Sequence, residues 1–114
     1  MLFKPHHVLL IENRIKTQTR RVWKRRCVRV GGVYPVKLRL FGPGSEPHGW
    51  IRVLAIREEL LLNISDEDAV AEGGYTRERF LESFADVDRG RHWPYTGLRV
   101  TVVTFEYVGR ERPA

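Results

Sequence analysis

The charge of this chain is segregated along the sequence, and this segregation constrains what the chain can fold into. The residues from Asn13 to Ser45 include ten lysines and arginines and no acid, while the segment from Glu46 to Ala114 holds thirteen acids against nine basic residues. Cations packed this densely repel one another, so the arrangement costs stability unless an anion relieves it. The pI near 10 is typical of nucleic-acid-binding domains. A polyanion partner is therefore expected, with a solvated basic face as the alternative.

Length and composition predict one domain that spans residues 1–114. A chain of 114 residues with 42% hydrophobic residues can bury a core but is short for two domains. No apolar run approaches the roughly 20 residues that span a bilayer, so no membrane partner is expected. The first residues lack the apolar region and the small-residue cleavage site of a secretion signal, so a cytoplasmic location is expected.

Cysteine and histidine usage argues against a disulfide or a metal site. Cys27 is the only cysteine, and the four histidines are scattered. His6 and His7 are neighbours at the start of a helix and cannot both face one metal ion. We therefore expect neither a metal nor a cofactor.

Local patterns predict an α+β domain. The elements, in order, are a helix over 5–12, strands over 17–23, 33–41 and 50–61, helices over 66–72 and 77–87, and a strand over 98–108. Ser65 and Thr76 are N-cap residues for the later helices, and a Gly-Gly pair ends the first of these. The order indicates a small curled sheet or barrel with helices at its ends.

The strand predicted over 33–41 alternates apolar and basic side chains. This pattern is typical of a strand with one face toward the interior. It places on one face Val36, Leu38 and Leu40 and on the other Lys37 and Arg39.

The run RIKTQTRR, from Arg14 to Arg21, resembles the signature of the ASCH domain family, Gly-x-Lys-x-x-Glu/Thr-x-Arg. Lys16, Thr19 and Arg21 occupy its fixed places. The order of the later elements agrees as well, so the resemblance covers nearly the whole chain. Arg14 stands where the pattern has glycine, and a residue with a side chain is expected to take an ordinary φ there.

The resemblance implies a PUA-like small β-barrel with flanking short helices and a cleft between them. It implies that the chain binds RNA or a nucleotide. One branch of the family resembles amidohydrolases that remove the acetyl group of N(4)-acetylcytidine, and other members are ribonucleases with a similar site. Carried over to this chain, the catalytic residues are Lys16, Thr19 and Glu72. The threonine at the sixth motif position is the feature shared with the amidohydrolase branch.

These residue types suit amide hydrolysis, which needs a nucleophile, a base and positive charge near the oxyanion. The Thr19 hydroxyl can attack, and cationic neighbours lower the pKa of Lys16 so that it can act as a base. Glu72 can orient or protonate, while Arg21, on the same strand face as Thr19, can hold a phosphate or the developing charge. The same residues could equally be structural.

Our leading hypothesis is an RNA- or nucleotide-binding domain with a basic cleft, and a hydrolase of a modified cytidine or of RNA is the alternative. A protein-interaction domain with an acidic partner is a third class. Trp23, among cations, and Trp93, in a basic loop, can each stack on a base or pack into the interior. The residues expected to contact nucleic acid are Arg20, Arg21, Trp23, Lys24, Arg25, Lys37, Arg39 and Trp93.

Overall fold

A four-stranded antiparallel sheet organises the structure, a computed structural model that describes residues Met1–Ala114. The strand order is β1-β4-β3-β2. None of the helices has the length and apolar character that crossing a membrane requires. In chain order the elements are α1 (Pro5–Glu12), β1 (Gln18–Arg21), β2 (Val33–Val36), β3 (Gly49–Leu60), a 3-10 turn (Leu61–Asn63), α2 (Asp66–Gly73), α3 (Arg77–Asp88) and β4 (Arg99–Gly109).

The long pair of β3 and β4 sets the curvature of the sheet. Its register runs from Trp50 opposite Gly109 to Leu60 opposite Arg99, with irregularities after Trp50 and after Val53. Bulges of this kind bend a strand and increase its twist. The sheet therefore curls into a half-barrel, and with its three helices it has the predicted α+β, PUA-like class.

Strand β4 is buried on both faces, which explains its almost continuous apolar sequence. Successive side chains of a strand point to opposite faces. Val103 and Phe105 belong to a core cluster with α1, whereas Val100 and Val102 belong to a second cluster with α2 and α3. The helices thus cover both faces of the sheet.

The helix ends follow the predicted capping chemistry. The Ser65 side chain accepts a hydrogen bond from the backbone N–H of Asp68, and the Thr76 side chain accepts one from that of Arg79. Gly74 takes φ 78°, a left-handed conformation that ends α2 at low cost.

The strand predicted over 33–41 is wrong in its second half. Strand β2 ends at Val36, which pairs with Gly49, the first residue of β3, so β3 offers no partner beyond that point. Leu40 and Phe41 are exposed, and Lys37 instead makes a parallel bridge to Leu2. Alternation alone predicted a strand beyond Lys37, where the backbone has no neighbouring strand to pair with.

The expectation of an ordinary φ at Arg14 is also wrong. Arg14 takes φ 61°, the left-handed conformation that glycine provides in the family pattern. Such a φ costs a residue with a side chain roughly 1–2 kcal/mol. The backbone N–H groups of Ile15 and Lys16 both donate to the Leu10 carbonyl, which closes the end of α1 and turns the chain inward at Lys16.

Candidate functional site

A cavity of about 500 Å³ lies between β1, α3 and the N-terminal segment with α1, and Glu72 of α2 also lines it. We call it the site cavity. The three residues predicted to be catalytic, Lys16, Thr19 and Glu72, are all buried and all line it. Apolar walls come from aromatic and aliphatic side chains, among them Phe80, Phe84 and Val87. The cavity therefore combines a polar buried end with apolar walls.

Lys16 and Glu72 form a buried ion pair at this polar end. Lys16 Nζ donates to Glu72 Oε1 at 3.0 Å and to the Glu72 carbonyl oxygen at 2.8 Å. Burial lowers the pKa of the Lys16 ammonium, the Glu72 charge opposes this shift, and Arg21 and Arg20 add to it. The pKa is lowered as the sequence predicted, but burial rather than the neighbouring cations is the main cause.

Arg21 holds the oxygen of Thr19 from the same strand face. Arg21 Nε donates to Thr19 Oγ1 at 3.0 Å, and Arg21 Nη2 donates to the Leu2 carbonyl at 2.7 Å. Its guanidinium carbon also lies 4.8 Å from the centre of the Phe3 ring, a cation–π contact. Arg21 thus brings fixed positive charge to Thr19 on the wall of the site cavity.

Arg20 also lines the site cavity, on the opposite face of β1 from Arg21, and its guanidinium is enclosed by acidic side chains. Arg20 Nε donates to Glu59 at 3.0 Å, Nη1 donates to Gln18 at 2.8 Å and to Glu72 at 2.9 Å, and Nη2 donates to Glu59 at 2.5 Å and to Asp68 at 2.8 Å. A guanidinium has five N–H donors, so none is left for a phosphate. The nucleic-acid-binding role predicted for Arg20 is therefore not supported by its geometry.

The other predicted nucleic-acid contacts are dispersed. Trp23 is half-buried and lines the site cavity. Lys24, Arg25 and Arg39 are exposed outside the cavity, and Lys37 lies half-buried outside it. Trp93 is 73% exposed and does not line the cavity. Of Trp23 and Trp93, only Trp23 can therefore contact a ligand held in the site cavity.

Two histidines that the sequence did not predict as site residues, His7 and His92, line the site cavity. His7 Nε2 lies 3.0 Å from the Tyr75 hydroxyl. Burial, helped by Lys16, lowers the pKa of His7 to about 3. His92 Nδ1 lies 2.6 Å from Asp88 Oδ1, and both of these residues line the cavity. The four-residue spacing was the only available signal for this second pair.

The architecture places the chain in a class, the small α+β domains with a PUA-like curled sheet. Within that class it is similar to the ASCH domain of Lactobacillus crispatus JV V101, with a TM-score of 0.68 and 14% identity over 90% of this chain and 70% of that chain. It is also similar to a DUF984 protein of Enterococcus faecalis V583, with a TM-score of 0.71 and 19% identity over 90% of this chain and 66% of that one. No protein-family model and no curated protein sequence matches the chain.

At these identities the likeness shows the fold. The chain has the fold of an ASCH domain, so the resemblance read from the RIKTQTRR run is confirmed at that level. It spans about two thirds of the length of the DUF984 protein.

Replacing Arg20 by methionine should destabilise the fold by about 3–5 kcal/mol, because three acidic side chains lose their buried partner. The matched control is Arg52→Met, since Arg52 pairs at 3.1 Å with Glu106 on the surface and such pairs contribute about 0–1 kcal/mol. Urea denaturation of both variants measures the difference. Equal losses would show that Arg20 is not the centre of a buried network.

The His7 pKa predicts a pH-dependent stability. Because the folded pKa is about 3 against an ordinary 6.5, the unfolded chain binds one more proton between these values. The free energy of unfolding should therefore fall as the pH is lowered from 6.5 toward 3. His7→Gln should make this dependence shallower, and Leu9→Gln, on the exposed side of the same helix, should not. Identical profiles for all three proteins in urea would contradict the assignment.

Proposed function

We propose that this chain is an ASCH-family protein that binds a nucleoside or nucleotide, free or as part of RNA, in the site cavity. The observation that carries the proposal is the cavity itself. Its volume of about 500 Å³ lies in the range of small-ligand sites, which combine apolar walls with a few polar groups. Lys16, Thr19 and Glu72 are those polar groups at the buried end.

The side chains around the cavity match the parts of a nucleotide. Trp23 is half-buried among cations, where an aromatic ring can stack on a base. Arg21 lines the wall, and Lys4 and Arg91 are exposed at the cavity's edge, where cations can pair with a phosphate. The dispersed surface cations, such as Lys24 and Arg39, can add salt-sensitive attraction to RNA without selecting a base.

The two tryptophans test where the ligand binds. Trp23→Ala should weaken the binding of cytidine monophosphate or of a short single-stranded RNA about 5- to 150-fold, the range expected for loss of one stacked base. Trp93→Ala is the control, because Trp93 is exposed outside the cavity, and it should leave the affinity within about twofold. Calorimetric titration measures both. A loss confined to Trp93→Ala would place the ligand elsewhere.

A second candidate function is hydrolysis of the acetyl amide of N(4)-acetylcytidine. It is favoured by one observation: Lys16, Thr19 and Glu72 line the same cavity, with Lys16 Nζ 3.0 Å from Glu72 Oε1. The Thr19 hydroxyl would attack the acetyl carbon, and Lys16 and Arg21 would stabilise the oxyanion. Threonine at this motif position favours the amidohydrolase branch over ribonuclease activity.

Neighbouring threonines provide the test of this chemistry. Thr19→Val should reduce the release of cytidine from N(4)-acetylcytidine about 10²- to 10⁴-fold. Thr17→Val is the matched control, because Thr17 is half-buried on the same segment and does not line the cavity, and it should keep most of the activity. Chromatography of the products measures both rates. If the wild-type protein releases no cytidine but still shows Trp23-dependent binding, the chain is a binding module.

A further inference from the structure

Asp88 and His92 form an oriented pair at the end of α3. His92 Nδ1 lies 2.6 Å from Asp88 Oδ1, and the His92 backbone N–H donates to Asp88 Oδ2 at 2.9 Å. The Asp88 side chain is 7% exposed and the His92 side chain 34%. Both residues line the site cavity, and His92 Nε2 has no hydrogen-bond partner in the protein. One ring nitrogen of a histidine that lines the cavity therefore has no partner in the protein.

The carboxylate decides the tautomer of the ring. Because Asp88 accepts the hydrogen of Nδ1, the neutral imidazole keeps its lone pair on Nε2. Burial raises the pKa of Asp88, but hydrogen bonds, mainly those from His92, lower it by a larger amount. The net shift of the Asp88 pKa is therefore downward, and the carboxylate stays charged. A charged carboxylate also stabilises the imidazolium that forms when Nε2 takes a proton.

Other polar groups of the cavity have hydrogen-bond partners within the protein. Lys16 donates to two oxygens of Glu72, and losing a proton would break its buried ion pair with that carboxylate. Glu72 itself accepts from Lys16 on Oε1 and from Arg20 on Oε2. His7 Nε2 faces the Tyr75 hydroxyl. His92 differs from them because the charged carboxylate on Nδ1 leaves the lone pair of Nε2 without a partner in the protein.

We propose that His92, positioned by Asp88, is the acid–base group of the site cavity, and that Lys16 acts there as a fixed cation. This inference rests on the amide hydrolysis proposed above, and it assigns the proton transfers of that reaction to His92. His92 would act as a catalytic residue, directly or through one water molecule, and Asp88 as a positioning residue.

The proton transfers balance over two half-reactions. The Thr19 oxygen bonds to the acyl carbon while its proton passes to His92 Nε2; the bond from carbon to nitrogen then breaks, and the same proton leaves with the amine. Water next adds to the acyl-Thr19 ester and gives a proton to Nε2. The Thr19 oxygen departs with that proton, which releases the carboxylic acid and regenerates the hydroxyl and the neutral ring.

The experiment measures N(4)-acetylcytidine hydrolysis by the whole chain with changes at His92 and Asp88. His92→Ala should lower kcat about 10²- to 10⁴-fold with KM nearly unchanged, and added imidazole should restore part of the rate. Asp88→Asn keeps an oxygen for the His92 backbone N–H but loses the charge, and it should lower kcat less than His92→Ala does. In the double variant Asp88→Asn should cause no further loss, since its effect acts through His92.

A matched control separates catalysis from folding. His48→Ala removes an exposed histidine that does not line the cavity, and it should keep the wild-type kcat. Circular dichroism checks that every variant is folded. If the wild-type protein hydrolyses the amide and His92→Ala keeps kcat within threefold, the assignment of His92 is overturned while the hydrolase stands. If the wild-type protein releases no cytidine, both the hydrolase and the assignment of His92 are overturned.

Discussion

Glu72 accepts hydrogen bonds from two cations of the same short segment, Lys16 on Oε1 and Arg20 on Oε2, and this shared carboxylate ties β1 to α2. A single buried ion pair seldom repays the cost of removing two charges from water. Here the charges are balanced over a network of three cations and three anions, because Arg57, Glu59 and Asp68 join the first three. Every N–H of Arg20 is used, so Arg20 can be buried without an unpaired donor.

The network also supports the candidate site. It fixes Lys16 and Glu72 at the buried end of the cavity, while the alternation of β1 turns Thr19 and Arg21 to the opposite face from Arg20. One strand of four residues thus supplies both the ionic framework and the polar wall of the cavity. Because Arg20 and Lys16 share Glu72, a change at Arg20 would disturb the candidate site even though Arg20 has no free N–H to offer a ligand.

The charge pattern of the sequence predicted that the basic residues need anionic partners, but not which anions these are. The density of cations in the first half predicted that an anion must relieve their repulsion, and for Arg20 the anions are Glu59, Asp68 and Glu72 of the same chain. The motif and the alternation of the strand set Arg21 apart from Arg20, but nothing in the linear pattern showed that acidic side chains would enclose Arg20. The hydrogen-bond partners of Arg20 and Arg21 differ because side chains of adjacent strand residues point to opposite faces and contact different neighbours.

The sequence by itself determined the local structure: the helix caps at Ser65 and Thr76, the order of elements, and the ASCH-type motif, since these depend on residues close in the chain. The tertiary structure decided the end of β2, the left-handed turn at Arg14, the enclosure of Arg20 and the meeting of the site cavity's residues. Each of these depends on a partner far away in sequence, and no local pattern encodes such contacts. The Asp88–His92 pair lies between these cases, because its spacing is local but only the packing of α3 places it at the cavity.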